Sequence, residues 1–249
     1  MLASAVQALG EAGMRLILDK IRIPDQAPPL SRKRLVDALK EGFKSCNSIL
    51  ITGRAGTGKT TLAADFARRC GRRVAWYKVD APDAESDIFF HYLVASVARH
   101  LPDSHWQAAP CDLRTGVEIF PLLAELWAQE MQKRHDSLLI VIDDMHLVFD
   151  AEWVIPFFHR TLPLLPPEVM MMILSRSLPP APLWRMRSKQ KMCVIDESAL
   201  SFTAREAEEL FARYGYGAEP ARLALEQSHG RAALLDSLAK RMKRTEEAA

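Results

Sequence analysis

Gly53, Arg54, Ala55, Gly56, Thr57, Gly58, Lys59, Thr60 and Thr61 follow one another in an order that fits the phosphate-binding pattern G-x-x-x-x-G-K-[ST]. Each part of the pattern has a mechanical reason. The glycines let the backbone curl until successive N–H groups converge on one anion. Lys59 places its charge on a stem that reaches β- and γ-phosphates, and the Thr60 hydroxyl is suited to Mg²⁺. Before the loop, Ser48 to Thr52 is a short apolar run that reads as a buried strand. After it, Leu62, Phe66 and Ala67 recur at helical spacing. Strand, loop, helix is the order that brings the free N–H groups of a helix start to the anion. A merely structural Gly-rich turn leaves the Lys–Thr pair unexplained.

Such a loop needs an acidic partner for the metal. Leu138 to Ile142 is an apolar run followed by Asp143 and Asp144. A strand of that kind is buried on both faces, and its C-terminal end is where open α/β sheets bind ligands. Asp143 is assigned to Mg²⁺, directly or through water, and Asp144 to the water that attacks the γ-phosphate. An Asp reaches less far than the Glu that many ATPases place there. Read alone, two acids simply end a strand and open a turn. Met170 to Leu174 is a further buried strand, and it ends in Ser175 and Arg176. If it lies between the loop strand and the Asp143 strand, Arg176 emerges beside the γ-phosphate. Its planar fork of donors then tells three phosphates from two. The alternative is an Arg paired with a surface carboxylate. His146 is read as a structural hydrogen-bonding residue.

These groups need elements to position them, and the chain supplies strands and helices in alternation. Strands are expected over 48–52, 73–79, 137–142, 168–174 and 191–195. Helices are expected after the phosphate loop and over 88–101, 117–131 and 153–165. Trp76 and Tyr77 are expected to pack within the sheet. Upstream, 2–20 has helical spacing weakened by Gly10 and Gly13, and 21–30 is an extended connector rich in proline. Ser31 is read as the N-cap of a helix carrying Leu35, Leu39 and Phe43. Past Phe202 only helices are expected, and Thr203 with Glu206 forms a capping box for the first. The fold class is α/β: a P-loop NTPase three-layer sandwich with a parallel sheet of about five strands, followed by a small helical lobe. The expected units are 1–30, an entry segment; 31–200, the nucleotide-binding domain; and 201–249, the helical subdomain.

Composition sets the outer limits. The 249 residues carry 33 basic and 31 acidic side chains, a net charge of +2. That balance gives no argument for a nucleic-acid partner. Cys46, Cys70, Cys111 and Cys193 are scattered, with no C-x-x-C pair, and are read as free thiols in a reducing cytosol. No apolar run approaches the ~18 residues of a membrane helix. No secretory leader is evident, so a cytoplasmic protein is expected. Arg68, Arg69, Arg72 and Arg73 are read as the solvated end of the phosphate-loop helix, and Lys240 to Arg244 as a solvated helix terminus.

Several separated segments, taken in order, resemble the ATPase domain of the MalT-like, large ATP-binding LuxR-type transcriptional regulators, within the STAND class of signal-transduction ATPases. They are Lys20 to Pro24 with Leu30 to Leu35, the phosphate loop, Val74 to Asp80 with Phe89 to Leu93, Ile142 to His146, Leu174 to Arg176, and Leu200 to Thr203 with Glu206, Ala207 and Phe211. The resemblance implies an ATP/ADP switch with Mg²⁺. In such a switch ADP is buried between the sheet domain and the helical lobe, ATP promotes self-association, and slow hydrolysis resets the device. It places the entry segment near the adenine. The sequence departs from the pattern at Gly230-Arg-Ala, where a proline is missing from the lobe's turn. It also ends at Ala249, without the sensor and DNA-binding helix-turn-helix of those regulators. An excised domain and a stand-alone ATPase with partner regulator chains both fit. The rival readings are an AAA+-like loader on nucleic acid, a small-molecule kinase, and a nucleotide-binding module that does not hydrolyse. The Pro-rich 177–191 segment suits a connector better than a kinase lid.

Overall fold

The computed structural model describes residues 16–25, 27–100, 117–133 and 137–247. Five strands form one parallel sheet: β1 (Ser48–Thr52), β2 (Arg73–Lys78), β3 (Leu138–Asp143), β4 (Val169–Ser175) and β5 (Cys193–Ile195), in the spatial order β2-β3-β4-β1-β5. β4 therefore separates β3 from β1. It pairs Met171 with Ser48 on one side and Val169 with Leu138 on the other. This is the extra strand expected between the phosphate-loop strand and the Asp143 strand.

The strands are apolar on both faces because both faces are covered. Alternate residues point to opposite sides. Leu50, Ile140, Ile142, Met171 and Ile173 join one core, together with residues of α3 (Ser86–Ala98), α4 (Ile119–Gln132) and α5 (Val154–Leu164). Ile49, Ile51, Leu139, Val141, Met172 and Leu174 join the other, under α1 (Lys33–Ser45) and α2 (Lys59–Arg69). Trp76 and Tyr77 are buried within the sheet as expected. In α3, Phe89, Leu93, Val94 and Val97 are all buried.

The connector after β4 holds a single helical turn, α6 (Ala181–Trp184). Beyond β5 come α7 (Glu197–Leu200), α8 (Ala204–Ala212), α9 (Ala218–Ser228) and α10 (Ala232–Glu247). The last three, α8 to α10, own a separate core of Leu210, Phe211, Ala221, Leu235 and Ala239, to which Phe202 and Leu30 also belong, while Leu200 of α7 stays with the sheet core. The Thr203–Glu206 capping box is present.

Several local expectations are corrected. The helix expected over 2–20 lies mostly outside the described residues, and Leu18–Ile21 at its end form one 3-10 turn. Lys20 on that turn is drawn inward by the Asp83 carboxylate, at 2.6 and 2.7 Å. Ser31 does not cap α1, whose cap position is Arg32. Its hydroxyl instead donates to Asp65 on α2 at 2.5 Å, a charge-assisted bond that turns the side chain toward α2 and away from the free N–H groups of the helix start. The arginines in the last turn of α2 and just beyond it are not merely solvated. Arg68 donates to the Pro24 carbonyl, Arg72 to Glu168 and Arg73 to His100, so they tie neighbouring segments to the sheet.

Candidate functional site

The loop from Gly53 to Gly58 crosses from β1 to α2 at the C-terminal edge of the sheet. Gly56 and Gly58 hold positive φ, 78° and 92°, where a side chain is strained. They also lie under α10: a Cβ on Gly56 would sit 3.0 Å from Ala233 Cβ, and one on Gly58 3.3 Å from Ala232 Cβ. Thr57 is buried and its hydroxyl donates to the Arg54 carbonyl at 2.9 Å. Thr61 faces the cleft from the first turn of α2.

Lys59 is only 7 % exposed. Its ammonium donates to the carbonyls of Gly53 (2.5 Å) and Arg54 (2.9 Å). Burial lowers its pKa, as does the nearby Arg176, while Asp143, Asp144 and Glu197 act the other way. The Thr60 hydroxyl donates to the Asp143 carboxylate at 3.0 and 3.3 Å. The sheet thus brings together a hydroxyl and a carboxylate that are remote in sequence. Two hard oxygen donors, with room for phosphate oxygens and water, make the kind of set Mg²⁺ accepts, so these residues fit that ion. Asp143 is 2 % exposed, and burial, then the neighbouring Asp144 charge, pushes its pKa up to about 6.

Asp144 adopts the left-handed conformation, φ 57°, one that Asp tolerates better than most residues. Its amide donates to Asp143 Oδ1 at 2.9 Å. The turn aims its carboxylate at Arg176, which leaves the end of β4 as expected and places Nε 3.5 Å from Asp144 Oδ1. Arg176 is half-exposed. His146 does not make the expected structural hydrogen bond: its Nδ1 is buried without a partner among the described residues. It lies 3.8 Å from Asp144 Oδ1, and burial lowers its pKa, so the contact is not an ion pair at neutral pH.

The helical segment closes the other side of the loop through residues the sequence did not single out. Arg231 donates from Nε and a terminal nitrogen to the Ala55 carbonyl, at 3.0 and 2.5 Å. The Ala233 amide donates to the Gly56 carbonyl at 2.9 Å. Arg54 turns away from the loop mouth to Glu197, which accepts from its amide (2.8 Å) and its Nε (2.7 Å). The Arg54 hydrogen bonds lower the Glu197 pKa. Arg32, buried at the start of α1, donates to the carbonyls of Leu200 (2.7 Å) and Ser201 (2.8 Å) and to Glu206 (3.0 Å), and stacks 4.1 Å over the Phe202 ring. The only hints in the sequence were the turn at Gly230 and the Arg-rich entry to α1.

Between these walls lies a cleft of 460 Å³, lined among others by Pro28, Leu62, Asp144, Arg176, Phe202 and Asp236. That volume suits a small-molecule ligand of nucleotide size, and a few polar groups converge on one end of it. Asp236 accepts from Tyr214 (2.7 Å) and Lys240 (2.6 Å) at the far wall. No helix among the described residues is long and apolar enough to cross a membrane.

The fold overlays a Walker-type ATPase of Pyrococcus abyssi with a TM-score of 0.54 at 10% identity, covering 89% of this chain and 74% of that one. A RuvB variant of Thermotoga maritima gives 0.48 at 14% identity, over 86% of this chain and 62% of that one. The replication initiator DnaA bound to AMPPCP and single-stranded DNA gives 0.48 at 16% identity, over 89% and 63%. The chain spans less than two thirds of the RuvB and DnaA chains. At these identities the likeness concerns the fold. The family model described as AAA ATPase domain matches residues 30–172, from the entry to α1 into β4 and more than half of the chain. On that match the chain belongs to the AAA ATPase domain family of P-loop NTPases.

Proposed function

We propose that this domain is a Mg²⁺-ATP/ADP-binding switch with slow hydrolysis, of the STAND type that its segments resemble in the MalT-like regulators. The observation that carries this reading is the closure of the helical segment on the phosphate loop itself, through Arg231 to Ala55 and Ala233 to Gly56. A loop gripped from both sides couples phosphate occupancy to the position of the helices, which is what a switch requires. The working units are 1–30, 31–200 and 201–249.

In this reading the loop amides and Lys59 hold the phosphates, and Thr60 and Asp143 hold Mg²⁺. The bound cation supplies charge neutralisation on the phosphate oxygens. A phosphate replaces the Gly53 and Arg54 carbonyls as the acceptor for Lys59. Asp144 positions water at the γ-phosphate. Arg176 exchanges its 3.5 Å contact with Asp144 for the γ-phosphate, which frees the carboxylate for that water only when three phosphates are present. Nucleotide-dependent self-association or contact with partner regulator chains is the output.

The test is to identify the nucleotide that co-purifies and to measure mass in solution with ADP and with a non-hydrolysable ATP analogue. ADP in a monomer and a larger species with the analogue support the switch. A turnover stimulated by nucleic acid replaces it with a loader. Undetectable single-turnover hydrolysis in both the native protein and Asp144→Asn replaces it with a non-hydrolysing module.

A further inference from the structure

Away from the nucleotide cleft, two cysteines meet across 147 residues of chain. The Sγ atoms of Cys46 and Cys193 are 3.0 Å apart. Cys46 follows the last turn of α1, and Cys193 opens β5, the short edge strand. Their backbones are held at this spacing by other contacts. Cys193 pairs in register with Ile49 of β1. The Ser48 hydroxyl donates to the Lys191 carbonyl at 2.6 Å. Gly42 lets α1 approach so closely that a Cβ there would stand 2.9 Å from Ile49 Cδ1 and 3.6 Å from Cys193 Cβ. The thiols find only weak alternative acceptors, the carbonyls of Gln190 at 3.4 Å and Gly42 at 3.5 Å. Two sulfurs set closer than ordinary non-bonded contact, on elements whose separation is already fixed, need little backbone motion to bond.

We propose that Cys46 and Cys193 form a reversible disulfide, a redox-controlled covalent tie between α1 and β5. The co-reactant is a low-molecular-weight disulfide. Cys193, the more exposed of the two, attacks first as its thiolate; one half of the small disulfide becomes bonded to Cys193 and the other half leaves as a thiol. The Cys46 sulfur then attacks Cys193 Sγ and expels the second half, and the Cys46 proton passes to the departing thiolate. The protein loses two hydrogens, and the small disulfide is reduced to two thiols. Burial, with the Cys193 hydrogen bond, pushes the Cys46 thiol up to about 12, which agrees with its role as the resolving and not the attacking group.

The tie acts on a strand that matters elsewhere. Three residues after Cys193, the chain reaches Asp196, which caps α7, and then Glu197, which grips Arg54 of the phosphate loop. β5 is held to the sheet by three residue pairs with β1. A bond at Cys193 secures the stretch from which the helical segment departs. This inference stands on the cysteines alone and does not depend on the switch reading.

The experiment is to incubate the full chain with excess oxidised glutathione, map thiols and disulfides by peptide mass spectrometry, and record melting before and after dithiothreitol. The expected product is a linked Cys46–Cys193 peptide pair, two hydrogens lighter. It should melt about 5 °C higher, because closing so long a loop removes unfolded-chain entropy, and dithiothreitol should restore the original value. Cys46→Ser should stop at a Cys193–glutathione mixed disulfide with no rise in melting temperature. A stable glutathione adduct at Cys193 in the native protein overturns the proposal, as does linkage through Cys70 or Cys111, or no oxidation at all. The mapping of the native protein decides the matter even if the serine variant folds poorly.

Discussion

The phosphate loop has two flanks, built by different means. On the sheet flank the partners are set by strands buried in one continuous framework. Thr60 and Asp143 face each other at 3.0 Å because α2 follows β1 and Asp143 ends β3. On the helical flank the partners are exposed or backbone-directed: Arg54 with Glu197, Arg231 with the Ala55 carbonyl, Ala233 with the Gly56 carbonyl. The helix that begins at Ala232 packs in a separate core, while Glu197 stands on a short turn whose Leu200 still belongs to the sheet core. A buried pair cannot move without exposing or unpairing a polar group. An exposed contact exchanges with water at little loss. The same loop is therefore held rigidly from one side and adjustably from the other, so chemistry is fixed while access can change.

The sharpest break is on the rigid side. Lys59→Ala should weaken ADP binding about 100-fold, roughly 2.7 kcal/mol, while far-UV circular dichroism and melting stay close to those of the native protein. Titration calorimetry measures this; a loss below threefold removes the sheet flank from phosphate binding. Metal removal is next. Native affinity for ADP should fall about tenfold when EDTA replaces Mg²⁺, the scale of one charge-assisted contact. Asp143→Asn should bind equally in both conditions. If the variant keeps the native response to EDTA, the ion is held elsewhere.

The two flanks were also unequally legible in the sequence. The sheet flank lies in contiguous motifs, each beside an apolar run, and these place Lys59 at the helix start after the β1 loop and Asp143 and Arg176 at strand ends. The place of β4 between β3 and β1 is only a condition in the sequence, set by the fold class, and the sheet order meets it. The helical flank has no such signature. Glu197 and Arg231 sit in polar stretches and meet the loop across 143 and 176 residues. Nothing local marks a charged residue that will reach a backbone carbonyl in another unit. The misread Ser31 has the same origin: local grammar predicts a cap, and Asp65, distant in sequence, draws the hydroxyl to itself as a donor. So too for Arg68 and Arg72, where the charge is visible and the carbonyl it meets is not.

A third variant asks whether the flanks are separate cooperative units. Gly230 holds φ 74°, and a Cβ there would lie 3.1 Å from the Phe202 amide nitrogen. The Phe202 amide donates to the Gly230 carbonyl, so the turn cannot shift freely. Gly230→Ala should destabilise the helical core by about 2 kcal/mol through strain. Hydrogen exchange should quicken in α8 to α10 and stay unchanged in β1, β3 and β4. Equal quickening in both sets makes the molecule one cooperative unit and dissolves the distinction.

The smallest effect tests adjustability itself. Arg54→Glu sets like charges against Glu197 and removes the guanidinium contact to Glu197 Oε1, yet both side chains are surface-accessible and the loop backbone is held elsewhere. Stability should therefore change little. The rate of nucleotide release should rise about threefold at low salt, and the rise should shrink as added salt screens the pair. The double variant Arg54→Glu with Glu197→Arg restores opposite charges but not the fork geometry or the bond from the Arg54 amide to a carboxylate. It should recover part of the native rate and no more. Full recovery makes the latch a matter of charge alone. No change in release from the single variant shows that Arg231 and Ala233 hold the helical flank without Glu197, and the adjustable side of the loop is then the Arg231 contact.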